Sequence, residues 1–409
     1  MTTQTIPEPP TMPRLFAAKG STLSEHLARF GELPSVGADL IPMLSEAGLS
    51  GRGGAGFPSG RKMASVTGRR PVVVGNGSEG EPLSRKDAQL LTRAPHLVLD
   101  GLDTAAAATG ADKVYLYVHA DAVPAVSRAL DERRAAALDP HRVIVVEAPD
   151  RFVAGEESAA IRKIEGGPAL PRDRTVLATK SGVRGRPTLL NNVETLAHMA
   201  LIARFGAAWF RSVGDADDPG TMLVTYSGAL HKHGVVEVPT GTLLTGLLEH
   251  AGGTNPDTIQ AVLVGGYHGS WLPATAFAGA RLSRSGLKSL GATPGAGIVH
   301  ALGMSECGLA HTAEISTYLA DQSARQCGPC LNGLPRIAEL LHELAHGRAT
   351  DQLVKEIRRV TALVDGRGSC RHPDGTARMI RSALETFAAE IELHQRRGCA
   401  ATDAVVSGR

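Results

Sequence analysis

The first half of the chain alternates short runs of β-branched residues with longer stretches in which apolar residues recur at helical spacing. The β-branched runs predict strands at residues 71–74, 113–118 and 142–146. The helical spacing predicts helices around these strands, at residues 84–91, 97–109, 123–138 and 156–165. Alternation of this kind is typical of an α/β fold with a parallel sheet and covering helices.

A different pattern follows the turn-rich stretch 214–219. Strands are predicted there at 221–225, 235–238 and 261–264, with a turn at Ser227-Gly228 and a helix at 242–251. From about residue 321 the spacing becomes helical again. It predicts three helices, at 334–346, 352–364 and 376–394.

Composition and charge narrow the classes of protein. The 409 residues are 43% hydrophobic, enough for several cores, and the net charge of +2 gives no sign of nucleic-acid binding. Residues 1–14 are proline-rich and have neither the basic start of a signal peptide nor an apolar span, so we expect a disordered arm and no membrane insertion. Five cysteines are too few and too unevenly placed for a disulfide scaffold, which favours reduced thiols or metal ligands in a cytoplasmic protein.

The segment GRGGAGFPSGRK at residues 51–62 is the strongest candidate for a ligand site. Glycine has no Cβ to block a ligand, and the helix expected after the loop would direct unpaired N–H groups at an anion. Arg52 and Lys62 add positive charge at its two edges. The spacing differs from both G-x-G-x-x-G and G-x-x-x-x-G-K-[ST], and a flexible loop without a ligand stays an alternative.

Three further motifs follow in order: NGSEGEPLSRKD at 76–87, GEES at 155–158 and PTLLNNVET at 187–195. Together with the glycine-rich loop, they resemble the NADH-oxidising flavoprotein subunit of respiratory complex I and its relatives in NAD-linked hydrogenases and formate dehydrogenases. The resemblance covers about residues 40–393. It implies an α/β fold with five segments: an N-terminal arm (1–35), a Rossmann-like parallel-sheet FMN domain (36–215), a small β-grasp-like (SLBB) module (216–300), a C-terminal helical iron–sulfur-type bundle (301–395) and a tail (396–409).

The resemblance also implies a site for FMN and for the nicotinamide nucleotide. Its implied cofactor-binding residues are Gly51, Arg52, Gly53, Gly54, Phe57, Lys62, Asn76, Ser78, Glu79, Gly155, Glu156, Asn191, Asn192 and Thr195. Glu81 and Glu157 would act on the nicotinamide side as the catalytic carboxylates. The chain departs from the family at Ser78, where the family has Asp, and at 175–180, where it lacks a proline- and phenylalanine-bearing stretch. Lys180, Arg184 and Arg186 nearby leave NADPH open beside NADH.

The implied activity is an FMN-dependent NAD(P)H oxidoreductase that transfers electrons to a ferredoxin-like or [2Fe-2S] protein, since flavin accepts a hydride and releases electrons singly. A non-catalytic flavin-binding or scaffold subunit is the alternative. The family's cluster motif is retained at Cys327, Cys330 and Cys370, but Ala324 occupies the remaining cysteine position. Three interpretations follow: a cluster completed by another group such as Ser323 or His372, a three-iron cluster, or no cluster.

Overall fold

A computed structural model describes residues 12–173, 176–346, 349–396, 398–399 and 401. Its first sheet is parallel and has the strand order β3-β2-β1-β4. The strands are β1 (Val72–Gly77), β2 (Lys113–His119), β3 (Val143–Ala148) and β4 (Thr188–Asn192). The chain adds β2 and β3 on one side of β1 and β4 on the other, so β1 and β4 flank a topological switch point. Parallel sheets bind ligands beyond the carboxyl ends of the strands at such a point.

Helices cover this sheet, as the α/β class predicted from the alternating pattern requires. They are α1 (Leu23–Phe30), α2 (Leu40–Ala47), α3 (Ser59–Ala64), α4 (Lys86–Arg93), α5 (Pro95–Thr109), α6 (Val123–Ala135), α7 (Glu157–Ile164) and α8 (Val193–Arg211). The long helices α5 and α8 pack against each other over a core of leucine, valine and alanine side chains. The sheet class is confirmed, and β4 is a strand that the β-branched pattern did not predict.

The second sheet has the order β6-β5-β9-β7-β8 and mixes parallel with antiparallel pairs. Its elements are β5 (Thr221–Gly228), β6 (Gly234–Pro239), α9 (Leu244–Leu247), β7 (Ile259–Val264), β8 (Ser270–Pro273), α10 (Ala274–Phe277), α11 (Arg284–Lys288) and β9 (Ile298–Gly303). The turn predicted at Ser227-Gly228 is wrong, because both residues continue β5 and pair with His300 and Ala301 of β9. The boundary expected at residue 300 falls inside β9. The β-grasp-like assignment stays a prediction.

The C-terminal part is helical: α12 (Gly308–Asp321), α13 (Leu334–Ala345), α14 (Asp351–Val364), α15 (His372–Thr386) and α16 (Ala388–Gln395). The single helix predicted at 376–394 is wrong, since the chain breaks it at Phe387. That side chain is buried against Trp271 of β8, with ring centroids 5.2 Å apart. The bundle therefore shares a core with the second sheet.

Arg14, the last residue of the segment expected to be disordered, is anchored in the structure. The expectation of disorder is therefore wrong at this residue. Its guanidinium donates to the carbonyls of Phe210 and Trp209, and its amide donates to Glu237 Oε2 at 2.9 Å. The remainder of the predicted disordered segment, residues 1–11, lies outside the described residues. In the part of the chain that is described, no helix combines the length and apolar character needed to cross a bilayer.

Candidate functional site

The glycine-rich loop is held in shape by its own backbone and by α8. Gly51 N–H donates to the Phe57 carbonyl at 3.0 Å, and Arg52 N–H donates to Thr195 Oγ1 at 2.8 Å. Gly54 has a φ of 103°, in the region that side-chain-bearing residues avoid. A Cβ on Gly53 would approach Asn192 Cβ to 3.2 Å. The loop therefore lies directly over the start of α8, at the carboxyl end of β4.

The motifs predicted to bind cofactor meet at the carboxyl edge of the first sheet. Asn76 lies opposite Asn192 across the β1–β4 pair, and its side-chain amide donates to the Gly155 carbonyl at 2.9 Å. Asn192 donates in turn to the Asn76 carbonyl. Ser78 Oγ lies 3.4 Å from Nε2 of His119, which ends β2 and was not predicted as a site residue. The structure thus joins the 76–87, 155–158 and 187–195 motifs into one site.

Asn191 carries an unsatisfied polar group at this edge. The residue is 6% exposed, and its Nδ2 has no hydrogen-bond partner among the described residues. Buried amide groups are nearly always paired, so this donor near the end of β4 is available to an acceptor that a bound molecule or water supplies. The acceptor-rich ring and ribityl chain of FMN fit that requirement.

Lys62 and Glu157 form an ion pair across the site. Lys62 Nζ lies 2.9 Å from Glu157 Oε1 and 2.6 Å from the Leu190 carbonyl, which directly precedes Asn191. About a fifth to a quarter of each charged side chain stays exposed. Both groups are therefore within reach of a ligand that enters the switch point.

Glu81 faces the second sheet. Its Oε2 accepts from Tyr267 N–H at 2.8 Å, and a Cβ on Gly266 would approach that oxygen to 2.6 Å. Burial raises the pKa of Glu81 to about 7, although hydrogen bonds from the Tyr267 and Leu83 amides favour the ionised form. This carboxyl consequently titrates in the physiological range.

Four of the predicted cofactor-binding side chains already have roles inside the protein. Arg52 is 7% exposed and donates to Asp218 Oδ1 and the Pro219 carbonyl, so its guanidinium is engaged within the protein, and its role at a phosphate stays a prediction. Glu79 accepts from Ala88 N–H at 3.0 Å, Glu156 caps α7, and Thr195 holds the Arg52 amide. These three shape the loops around the site. Phe57, by contrast, is 50% exposed, with the Arg61 guanidinium over its ring at 5.7 Å from the centroid.

A buried charge cluster behind the site was not predicted from the sequence. Lys86 Nζ lies 2.8 Å from both Asp87 Oδ1 and Glu194 Oε2, and it also donates to Asn192 Oδ1 at 3.2 Å. Burial raises the pKa of Asp87 to about 7 despite the Lys86 charge. Burial also disfavours ionised Glu194, yet the Lys86 charge lowers its pKa to about 2. Lys86 and Asp87 of this cluster both hydrogen-bond to the side chain of Asn192 and so hold it in place.

The basic residues expected to attract an extra nucleotide phosphate lie at the other edge of the sheet. Arg186 precedes β4, pairs with Asp112 and donates to the Arg70 carbonyl. Lys180 donates to Thr67 Oγ1. Lys180 and Arg186 therefore no longer favour binding of NADPH over binding of NADH. Thr175, in the segment that lacks the family's aromatic residues, lies outside the described residues.

The three motif cysteines converge in the helical bundle. Cys330 and Cys370 are buried and Cys327 is half-buried. Burial and the neighbouring thiols of Cys327 and Cys370 raise the pKa of Cys330 to about 12. His372 is already engaged, through Nε2 with the Leu319 carbonyl at 2.8 Å and through Nδ1 with His268 at 3.2 Å. The hydroxyl of Ser323 is buried and has no hydrogen-bond partner among the described residues, which favours Ser323 over His372 as a replacement ligand.

Aromatic rings pack between the first sheet and the helical bundle. Phe152, which follows β3, packs against His268, Tyr318 and His372 with centroid distances of 4.7, 6.1 and 5.4 Å. Tyr267, whose amide binds Glu81, contacts Tyr318 at 5.5 Å. Packed aromatic rings therefore extend from the residues that follow β3 to His372, two positions after Cys370.

The fold and this pair of sites define a flavin-type α/β protein with an appended iron–sulfur-type bundle. The Nuo51 FMN-binding domain family matches residues 44–201, and the NADH-ubiquinone oxidoreductase-F iron-sulfur binding region matches residues 310–394. The chain belongs to the family of F-type NADH-quinone oxidoreductase subunits. It is 30% identical to one such protein of Rhizobium meliloti (strain 1021) over 380 residues, which cover 88% of this chain and 90% of that protein.

Hydrogenase subunits are similar as well. The NADP-reducing hydrogenase subunit HndC of Solidesulfovibrio fructosivorans is 28% identical over 87% of this chain and 76% of its own length. A crystal structure of an NAD⁺-reducing [NiFe]-hydrogenase in the H2-reduced state superimposes with a TM-score of 0.79 at 30% identity over 87% of this chain. The chain spans 62% of that hydrogenase chain's length.

Proposed function

We propose that this chain is an FMN-dependent NAD(P)H oxidoreductase that passes electrons to an iron–sulfur protein, with a ferredoxin-like or [2Fe-2S] protein as the direct acceptor. The observation that carries the proposal is the unpaired, buried amide of Asn191 in β4, at the β1–β4 switch point and next to Asn192, which the glycine-rich loop approaches. The match to an FMN-binding domain over the same residues supports it. The relatives that use NADH or NADP leave the choice of nucleotide to experiment.

The proposed site divides into two sides. Asn191, Asn76 and the Gly51–Gly54 loop would hold FMN, which when bound accepts a hydride and releases electrons one at a time. Lys62 would balance the negative charge of the cofactor, and Glu81 and Glu157 would bind the ribose and amide of the nicotinamide nucleotide. Carboxylates accept hydrogen bonds from such hydroxyl and amide groups.

Absorbance of the purified protein tests the proposal. Flavin bands are expected after purification or after FMN is added, and anaerobic NADH or NADPH should bleach them. Titration with each nucleotide gives the preference, and oxidised ferredoxin-like proteins can then be tested for reoxidation of the flavin. Protein that binds no FMN would contradict the proposal.

The Glu81 carboxyl makes flavin reduction depend on pH. Because its folded pKa is raised to about 7, the carboxylate that accepts from a ribose hydroxyl forms only as the pH rises through 7. We expect the second-order rate constant for flavin reduction by NADH to rise across this window. In Glu81→Gln the inflection should disappear while FMN content stays normal. The exposed Glu147→Gln is the control and should keep the inflection; a wild-type inflection that persists in Glu81→Gln would contradict the role.

A non-catalytic scaffold is the second candidate function, and one observation favours it. Ala324 supplies no ligand where the family has a cysteine, so the bundle lacks a standard four-cysteine cluster. Flavin that binds but is not reduced by either nucleotide would support the scaffold. Flavin that is reduced in protein without iron would mean that electrons leave directly for a docked partner.

The three cysteines are expected to hold an oxygen-sensitive cluster, because one iron would lack a thiolate. Anaerobically purified protein should contain iron and sulfide and give a paramagnetic signal that Cys370→Ala loses. Ala324→Cys should convert the centre to a more stable four-iron form. Ala345→Cys adds a buried thiol at the last residue of α13 and should change neither content nor signal. Absence of iron from the anaerobic wild-type protein would defeat this expectation.

A further inference from the structure

Four potential metal ligands meet at a place remote from the three-cysteine motif. They are the thiol of Cys307, which caps α12, the side chains of Glu390 and His394, one turn apart on α16, and the thiol of Cys399 beyond that helix. One ligand atom from each lies within 4.8 Å of all the others. Cys307, Glu390 and His394 are buried, and Cys399 is half-buried.

The separations are close to those of a tetrahedral metal site. Cys307 Sγ lies 3.6 Å from His394 Nε2, and that nitrogen lies 3.8 Å from Glu390 Oε1. With zinc–ligand bonds of roughly 2.0–2.3 Å, tetrahedral geometry places neighbouring ligand atoms roughly 3.3–3.8 Å apart. Two of the contacts already meet this condition, and the other pairs of ligand atoms lie within 4.8 Å.

An unsatisfied carboxylate oxygen points to a cation. Glu390 is 6% exposed, and its Oε2 accepts from Gly308 N–H at 3.1 Å. Its Oε1 is buried without a hydrogen-bond partner among the described residues. A buried carboxylate with one free oxygen is costly unless a positive charge neutralises it. Within the described residues, the cationic group recorded within 4 Å of it is the His394 ring, which carries charge only when protonated.

We propose that Cys307, Glu390, His394 and Cys399 bind one Zn²⁺ as a structural site. Two sulfurs, an imidazole nitrogen and a carboxylate oxygen form a ligand set that suits zinc, and four protein ligands leave no open position for catalysis. Binding deprotonates both thiols, so two protons pass to solvent for each Zn²⁺ bound. The ion has no part in electron transfer.

The proposed site would attach the segment around Cys399 to the helical bundle. Cys399 and Ala401 pack on the hydrophobic core of the bundle, beside residues from α12 and α13. A metal bond would join this segment to Cys307 at the start of α12. The next residue, Gly308, packs closely against the ring of Phe387 at the break between α15 and α16. A structural site of this kind contributes binding energy directly to folding.

Zinc analysis of the full chain tests the proposal. Cys327→Ser, Cys330→Ser and Cys370→Ser are combined so that the motif thiols bind no metal. After incubation with Zn²⁺ under reductant and removal of excess by gel filtration, we expect one zinc per chain. Replacement of zinc by Co²⁺ should give thiolate-to-cobalt charge-transfer absorption and the intense visible bands of a tetrahedral complex.

Removing one ligand should weaken binding at least about tenfold, since even outer-sphere changes at zinc sites cost that much. Cys399→Ser is the main variant, because its position beyond α16 leaves the helices intact. Glu390→Gln is the second variant, and the exposed Glu392→Gln on the same helix is its matched control. Equal zinc affinity in Cys399→Ser, no zinc in the background protein, or a Cys307–Cys399 disulfide in place of free thiols would each overturn the proposal.

Discussion

Gly54→Val is expected to reduce FMN affinity by about ten- to a hundredfold. The φ of 103° at Gly54 is strained for any residue with a Cβ and most for a β-branched one, at a cost of about 1–3 kcal/mol. Valine would force the loop out of the conformation in which it lies against Asn192. Equilibrium dialysis or fluorescence titration of the apoprotein with FMN measures the change.

The control for this prediction is Gly110→Val. Gly110 also has a positive φ, of 67°, but it ends α5 at the amino edge of β2, and a Cβ there would meet no atom within 4 Å. It should therefore cost stability of the same order while FMN affinity stays unchanged. Equal FMN affinity in Gly54→Val and wild-type protein would remove the loop from the site.

Lys86→Met is expected to destabilise the protein by about 3–5 kcal/mol, because removing one member of a buried ion pair leaves its partners uncompensated. Asp87 and Glu194 both lie 2.8 Å from the ammonium, and Glu194 is 1% exposed. The change also removes one of the two hydrogen bonds to Asn192 Oδ1 and leaves the one from Glu194 N–H, so FMN affinity should fall with stability. Denaturant unfolding of the apoprotein measures the free-energy change.

The pH dependence of this variant separates charge from packing. With Lys86 absent, both carboxyls should take up protons more readily in the folded state, so the variant should recover stability as the pH falls. Lys355→Met replaces an exposed lysine on α14 and should change the free energy of unfolding by little. A Lys86→Met protein as stable as wild type at pH 8 would show that the cluster contributes nothing net.

The sequence predicted the elements whose pattern is local. Strands β1 and β3 follow from runs of valine and isoleucine, and β2 follows from alternating valine, tyrosine and leucine. By contrast, β4 ends in the polar Asn191 and Asn192, which are more typical of a loop. The break at Phe387 depends on Trp271, more than a hundred positions away, and no helical period reveals it.

The site residues show the same division. The resemblance placed Asn76, Gly155 and Asn192 in one cofactor site; the structure brings the three into contact, and their binding of FMN stays a prediction. Lys86 and Asp87 stand in a charged run that resembles a solvent-exposed helix start, so their burial could not be predicted. Arg52 was expected at the FMN phosphate from its charge and from the family resemblance, neither of which reveals its partners within the protein. Its partners, Asp218 and Pro219, lie beyond α8 and become neighbours through the fold.

The attachment of Arg52 to Asp218 and Pro219 limits how this protein can be divided or recombined. The same glycine-rich loop is contacted by Arg284 of α11, whose guanidinium donates to the Gly54 carbonyl at 3.3 Å. A Cβ on Gly56 would overlap that guanidinium. A truncated chain that ends after α8 would therefore lose the residues that contact the glycine-rich loop from outside the first sheet: Asp218, Pro219 and Arg284. Chimeras that exchange the second sheet between relatives would have to carry Asp218 and Arg284 with it. The segment that must be kept together for an intact glycine-rich loop therefore extends beyond the parallel sheet.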